Sequence, residues 1–202
     1  MTDTQESRTL YLASGNAGKL KEFRVLAESP GKNWQLELLP DYTKLPEFEE
    51  AAPTFAENAA GKALYYSRRG DGIVFADDSG LVVPALGGAP GVLSARYAGP
   101  GASNEKRIGK LLFEMKGLEG ANRNAYFGCV IAAVRKGRIV AVVSEKVDGE
   151  ILDSPRGSDG FGYDPVFYFP PLGKTFAELR AEEKSLHSHR GKAFRRLLEV
   201  LE

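Results

Sequence analysis

Two carboxylates stand side by side in this chain. Asp77 and Asp78 follow an apolar run at 73–76 and precede Ser79-Gly80. Paired acids at the C-terminal end of a buried strand suit a hard cation such as Mg²⁺. In an extended segment their side chains point to opposite faces, so one would meet a ligand and the other would hold the loop. An Asx-type turn without metal is the competing reading. The acidic run Glu47, Glu49 and Glu50 could supply a second metal ligand, or could be a solvated loop.

Groups of opposite sign lie elsewhere. Ser14-Gly15-Asn16-Ala17-Gly18-Lys19 reads as a turn between a strand and a helix. Such a turn offers backbone N–H groups and the positive end of the helix dipole to an anion. Gly15 and Gly18 allow close approach to the main chain, and Lys19 adds a mobile cation. It is not a P-loop, which needs four residues between its first glycine and Gly-Lys and then Ser or Thr; here Leu20 follows Lys19. An ordinary helix cap with a surface lysine fits the same residues. In Gly160-Phe161-Gly162-Tyr163-Asp164-Pro165, two glycines bracket an aromatic ring. That ring is either a stacking surface for a base or the inward residue of a β-bulge. Lys184 to Arg190 contains the only two histidines, His187 and His189. Ser188 has the look of a helix cap, which sets His189 and Arg190 in a first turn. Cations there oppose the helix dipole unless an anion or polar ligand answers them. His-x-His suggests a zinc site, but the two histidines alternate with a serine and lack a third histidine partner.

The elements that must position these groups follow from periodicity and punctuation. A strand at 9–13 leads to a helix carrying Leu20, Phe23 and Ala27, stopped by Pro30-Gly31. A second strand at 34–39 precedes the acidic loop 41–50. Thr54 and Glu57 have capping-box spacing for an alanine-rich helix running to about Arg69 and closed by Gly70. A buried strand at 73–76 comes next, then an ordered Gly- and Pro-rich loop at 84–101. Ser103 caps a helix with the stripe Ile108, Leu111, Leu112 and Met115, ended by Gly117. Runs at 125–134 and 139–144 flank Arg135-Lys136-Gly137-Arg138 as a hairpin, and 147–151 extends the sheet. A glycine-rich loop at 155–163 and an aromatic strand at 166–169 follow. Thr175 and Glu178 repeat the capping-box spacing, and the last helix carries Phe194, Leu197, Leu198 and Leu201. Alternating strands and helices around a hairpin predict an α/β fold with a mixed sheet.

A chain of 202 residues suffices for one large domain or two small lobes sharing a core. Lys plus Arg and Asp plus Glu each number 27, so there is no basic excess of the kind that coats nucleic acid. Cys129 is alone and excludes an intrachain disulfide. Residues 1–7 are polar, without a signal-peptide core, and the apolar runs are too short to span a bilayer. A cytoplasmic location is expected, with no membrane and no nucleic-acid partner.

Together the segments at 14–19, 54–59 (Thr-Phe-Ala-Glu-Asn-Ala), 76–81, 87–91 with Ser-Ala-Arg-Tyr at 94–97, 160–165 and 188–191 resemble the inosine triphosphate pyrophosphatase (Ham1/RdgB-like) family, the dITP/XTP pyrophosphatases. Each is modest alone; their order and spacing are specific, and the likeness spans nearly the whole chain. The resemblance implies a single domain over 1–202. Its fold would be an elongated α/β one, a mixed twisted central β-sheet flanked by helices with two lobes around a substrate cleft. It implies hydrolysis of ITP, dITP and XTP to monophosphate and pyrophosphate, Mg²⁺ as cofactor, and a homodimer. By the same resemblance Ser14, Gly15, Asn16, Ala17, Gly18, Lys19 and Lys62 hold phosphates. Glu49 and Asp78 serve the metal, with Asp78 also the general base. Ser79, Phe161, Gly162, Tyr163, Asp164, Lys184, His189 and Arg190 contact the nucleotide, and His187 is incidental. Two other classes compete. A phosphatase forming an aspartyl-phosphate would want its two acids separated by one residue, and a nucleotide sensor would not need Asp78.

Overall fold

A computed structural model of the chain describes residues 8–27, 34–68 and 72–202. The elements are β1 (Arg8–Leu12), α1 (Ala17–Ala27), β2 (Trp34–Leu38), α2 (Phe55–Ser67), β3 (Ile73–Val82), α3 (Asn104–Glu114), β4 (Asn124–Arg135), β5 (Arg138–Ile151), β6 (Phe167–Phe169), β7 (Lys174–Thr175), α4 (Ala181–His187) and α5 (His189–Leu201). Among the described residues seven strands form one sheet in the order β2-β1-β3-β4-β5-β6-β7. β1 runs parallel to β2 and β3, whereas β5, β6 and β7 pair antiparallel. The mixed α/β sheet expected from the sequence is therefore present. Parallel neighbours require crossovers, and α1 and α2 lie in the connections that supply them.

The chain divides into two compact units. The first comprises Met1–Asp78, Val130–Ser144 and Ala193–Glu202. Its core gathers Ala59, Ala63 and Tyr66 of α2 with Val74 and Ala76 of β3 and Val130, Ala132 and Val134 of β4. Phe23, Phe75 and Phe194 meet edge to face and tilted, with ring centres 5.4–5.7 Å apart. The second unit comprises Ser79–Cys129 and Glu145–Lys192. Its core joins Ile108 and Leu111 of α3, and Met115 just past its end, to Phe127, Val147, Phe167 and Phe176. The predicted stripe of α3 is thus its buried face, with Leu112 partly buried beside it.

Several predicted boundaries move, for physical reasons. α1 starts at Ala17 rather than beyond Lys19, because the Asn16 side chain accepts from Lys19 N–H at 3.1 Å and caps the helix. β3 does not stop at Ala76 but continues through Asp77–Gly80 to Val82, since buried partners satisfy the polar side chains. The strands expected at 139–144 and 147–151 are one 14-residue strand, β5. The hairpin turn is present: Lys136 and Gly137 both have positive φ, 50° and 73°, as a two-residue type I′ turn requires. α2 is capped by Thr54, whose hydroxyl accepts from Glu57 N–H and donates to the Glu57 carboxylate. It ends at Ser67, while Gly70 and Pro30-Gly31 lie outside the described residues. The capping box at Thr175 and Glu178 is real but closes only a single 3₁₀ turn, Phe176–Glu178.

Candidate active site

In the first unit the strand pleat sends the two aspartates to different partners. Asp77 is fully buried, and its carboxylate lies 2.9 Å from the Lys19 ammonium. Its backbone carbonyl accepts from Lys62 Nζ at 2.8 Å and from Lys19 Nζ at 3.4 Å. Asp78 Oδ2 accepts from Asn58 Nδ2 at 2.9 Å. Asn58 and Lys62 are four residues apart on α2, hence on one helix face. Lys62 is also paired with Glu50, which draws the acidic loop onto the same cluster.

Burial is the largest influence on Asp78 and raises its proton affinity. Lys19 counters it, Glu50 adds to it, and Asn58 and Lys62 lower it again, leaving the carboxyl above its ordinary range. Burial would lower Lys62, but Asp77 and Glu50, with a contribution from Asp78, outweigh it and keep the ammonium charged above its usual range. The result is a buried acid with raised proton affinity among lysines. That combination can bind a polyanion and accept a proton.

The glycine turn stands beside this cluster in the chain. Ser14 is buried and its Oγ accepts from Asn16 N–H at 3.3 Å, whereas Gly15, Asn16 and Ala17 are exposed. A Cβ on Gly15 would sit 3.2 Å from the Tyr42 ring, so glycine lets the turn close on that ring. Tyr42 packs on Tyr66, whose hydroxyl donates to Pro46 O and accepts from Phe48 N–H, fastening the acidic loop. Of the three acids in that loop, Glu47 and Glu49 are exposed and Glu50 is half-buried.

The second unit holds the other group of predicted residues. Asp164 is buried, accepts from Phe161 N–H at 2.7 Å and pairs with Lys184 at 2.5 Å. A Cβ on Gly160 would overlap the Asp164 carboxylate, and its φ is 74°, so only glycine fits there. The half-buried Phe161 ring carries two cations: Lys184 Nζ lies 5.1 Å and the Arg190 guanidinium 5.6 Å from its centre. Arg190 Nη2 also donates to Ser79 Oγ at 2.7 Å.

Ser188 ends α4 and caps α5, accepting from Gly191 N–H at 3.0 Å, as the sequence predicts. His189 and Arg190 thereby occupy the first turn, with His189 stacked on Phe127 at 4.7 Å. Tyr163 lies elsewhere: its ring is part of the core and its hydroxyl donates to Ser94 O at 3.0 Å. Any ligand contact from Tyr163 would be through its backbone. His187 rests against Phe169 and is not drawn into this group.

Sequence reasoning gave no task to Asn58 or Ser94, and from the acidic run it chose Glu49, whereas Glu50 is the one paired with Lys62. Ser94 accepts from Leu81 N–H and donates to Gly91 O, which ties the 84–101 loop to β3 next to Ser79. Asn58 and Ser94 both lie within segments quoted for the family resemblance, and that was their available signal.

The donor set decides which metal these residues suit. Among the described residues no group of three or more His, Cys, Asp or Glu side chains is assembled. Zinc, which takes a closed set of nitrogen and sulfur ligands, does not fit. Mg²⁺ does fit, because it uses one or two carboxylates and completes its shell with water and phosphate oxygens. Asp78 and an acid of the 47–50 loop are the oxygen donors available.

One set of groups has the charges and the raised-affinity acid that polyphosphate binding and proton transfer need, and the other has the ring and donors that stacking on and hydrogen-bonding a flat ring need. That is the equipment of an α/β protein handling nucleotides. Comparison with known proteins agrees. The Ham1 family model matches residues 10–200. A dITP/XTP pyrophosphatase of Geobacillus kaustophilus is 49% identical over 195 residues, covering 96% of this chain and 95% of its own. One from Thermus thermophilus is 46% identical over 191 residues, covering 95% and 90%. The Staphylococcus aureus Ham1 protein superposes with a TM-score of 0.83 at 39% identity, covering 96% of this chain and 98% of that one. A HAM1 protein from Coxiella burnetii gives 0.83 at 37%, with the same coverage. The chain belongs to the Ham1 family. Among the described residues no helix is long and apolar enough to cross a membrane.

Proposed function

We propose that this protein hydrolyses the non-canonical purine nucleoside triphosphates ITP, dITP and XTP to monophosphate and pyrophosphate, removing them from the nucleotide pool. The observation that carries the reading is the buried Asp78, held above its ordinary proton affinity while Lys19 and Lys62 stand within the same cluster. Relatives known as dITP/XTP pyrophosphatases, 46–49% identical to this chain, support the substrate class.

Each residue then has a task. Lys19, Lys62 and the N-terminus of α1, with the turn from Ser14 to Gly18, receive the phosphate chain and stabilise the departing pyrophosphate. Asp78 takes the proton of the water that attacks the α-phosphorus in line. Asp78 and Glu49 would hold Mg²⁺, which would supply charge neutralisation for the phosphates. Phe161 stacks the purine, and His189 and Arg190 donate to its 6-oxo edge. Lys184 and Asp164 hold the Phe161 loop in shape. A 6-amino group would set a donor against those donors, which disfavours ATP. The enzyme works in the cytoplasm as a homodimer.

The test is a panel of ITP, dITP, XTP, ATP and GTP with Mg²⁺, run in ¹⁸O water with products resolved. Pyrophosphate release from the first three, with the label in the monophosphate, is the expected result. Inorganic phosphate as first product, or label in pyrophosphate, contradicts attack at the α-phosphorus. Light scattering on the purified chain tests the dimer.

A further inference from the structure

The segment Thr54-Phe55-Ala56-Glu57-Asn58-Ala59 marks the family resemblance, yet nothing above gives its asparagine a task. Asn58 lies in the first turns of α2 and is 1% exposed. Asparagine is a poor helix residue, and its side chain favours local backbone bonds that compete with the helix. Here the side chain is committed elsewhere. Its Oδ1 accepts from Ala52 N–H at 3.0 Å, its Nδ2 donates to Ala52 O at 3.2 Å, and the same Nδ2 donates to Asp78 Oδ2 at 2.9 Å. The three bonds fix the amide orientation. Reversing it would turn Oδ1 toward a carbonyl and a carboxylate and set two donors face to face at Ala52.

One amide therefore spans two segments. It grips the acidic loop just beyond Glu49 and Glu50, and it grips the carboxylate of Asp78 on β3. Truncating it would remove a hydrogen bond to a buried charged group and release the loop end together. The Lys62–Glu50 pair and the Tyr66 hydroxyl on Pro46 and Phe48 would remain as ties between α2 and the acidic loop, but neither reaches the Asp78 carboxylate as Asn58 does.

We infer that Asn58 is a positioning residue: it sets the Asp78 carboxylate and the acidic loop relative to each other, so that the oxygen donors of the two segments serve one cation. This rests on the assignment of Asp78 and the acidic loop to the metal. Partners that orient metal ligands are known to matter at about 10–100-fold in affinity or activity.

The experiment compares the wild type with Asn58→Ala, Asn58→Asp and, as control, Thr54→Ala. The control removes the cap of the same helix without touching Asp78. Mn²⁺ binding is read from the free-ion signal in electron paramagnetic resonance. kcat, KM for dITP and the Mg²⁺ concentration for half activation are measured in parallel. Asn58→Ala and Asn58→Asp weaken Mn²⁺ binding and lower kcat by about 10–100-fold, with KM at saturating Mg²⁺ little changed and part of the loss recovered by excess Mg²⁺. Thr54→Ala lowers the melting temperature and leaves both metal readouts where they were. Asn58 variants that match the control in Mn²⁺ binding and kcat overturn the inference, as does a wild type with no more Mn²⁺ bound than the variants. Should Asn58→Ala fail to fold, the equal-sized Asn58→Asp carries the comparison. A wild type that binds Mn²⁺ but releases no pyrophosphate refutes the proposed function alone, and the Mn²⁺ series still decides the role of Asn58.

Discussion

Asp78 illustrates how a functional group strains against its surroundings. Burial raises its proton affinity, and the countervailing pull of Lys19, Asn58 and Lys62 does not restore the ordinary value. The folded state then holds this proton more tightly than the unfolded chain, so the group's contribution to stability falls as pH rises from the usual carboxylate range through the folded value. Asp78→Asn removes that burden. In the absence of divalent cations the variant should be more stable at neutral pH by about 1 kcal/mol, or about 2–4 °C in Tm. The gain should disappear in acid, where the wild-type carboxyl is protonated; thermal melts across pH measure it. Activity should fall by about 10²–10⁴-fold with the general base gone. A second residue-scale prediction separates two cations. Arg190 lies on Phe161 and Ser79 and Lys19 on Asp77; the proposed function gives the first to base recognition and the second to the phosphates. Arg190→Ala should erode the preference for ITP over ATP. Lys19→Ala should lower kcat/KM for both, at a cost of about 2–3 kcal/mol. Paired kcat/KM ratios decide, and equal loss of preference would refute the division.

At the level of elements, the caps do more than end helices. Ser188 closes α4 and opens α5, and its hydroxyl fixes the turn that presents His189 and Arg190. Ser188→Ala should lower stability by about 1 kcal/mol and raise KM for dITP with little effect on kcat; Ser188→Thr should restore both. Steady-state kinetics with thermal melts check this. Such caps were legible in the sequence because they are local: Thr54, Ser103 and Ser188 each reach a backbone N–H three residues on. The hairpin turn at Lys136-Gly137 and the mixed sheet were legible for the same reason. β3 was not. Asp77, Asp78 and Ser79 look like a turn until their partners are known, and those partners are as far off in sequence as Lys19 and Arg190. The site residues came from ordered motifs and not from periodicity. The motifs could not say that Glu50 takes Lys62, or that the Tyr163 ring goes into the core.

Across the whole molecule, the chain passes between the two units four times, and each passage lies inside a regular element: β3, β4, β5 and α5. Neither unit is a continuous stretch of sequence. The first is completed only by residues 193–202, where Phe194, Leu197 and Leu198 are buried. Phe194→Ala should cost about 3–5 kcal/mol and lower Tm by on the order of 10 °C, because its ring packs on Phe23 and Phe75 in the core. Calorimetry with activity at low temperature separates lost stability from lost chemistry.

The pleat of β3 carries one more implication, for how this sequence can vary. Because Asp77 and Asp78 serve different partners from opposite sides of the same strand, inserting a single residue upstream within it would move Asp77 into the place of Asp78 and carry Asp78 one position further on. The lysine's counter-ion would become the amide's, and every apolar neighbour would turn with it. Drift in length is therefore confined to the connecting loops, while this strand keeps its count.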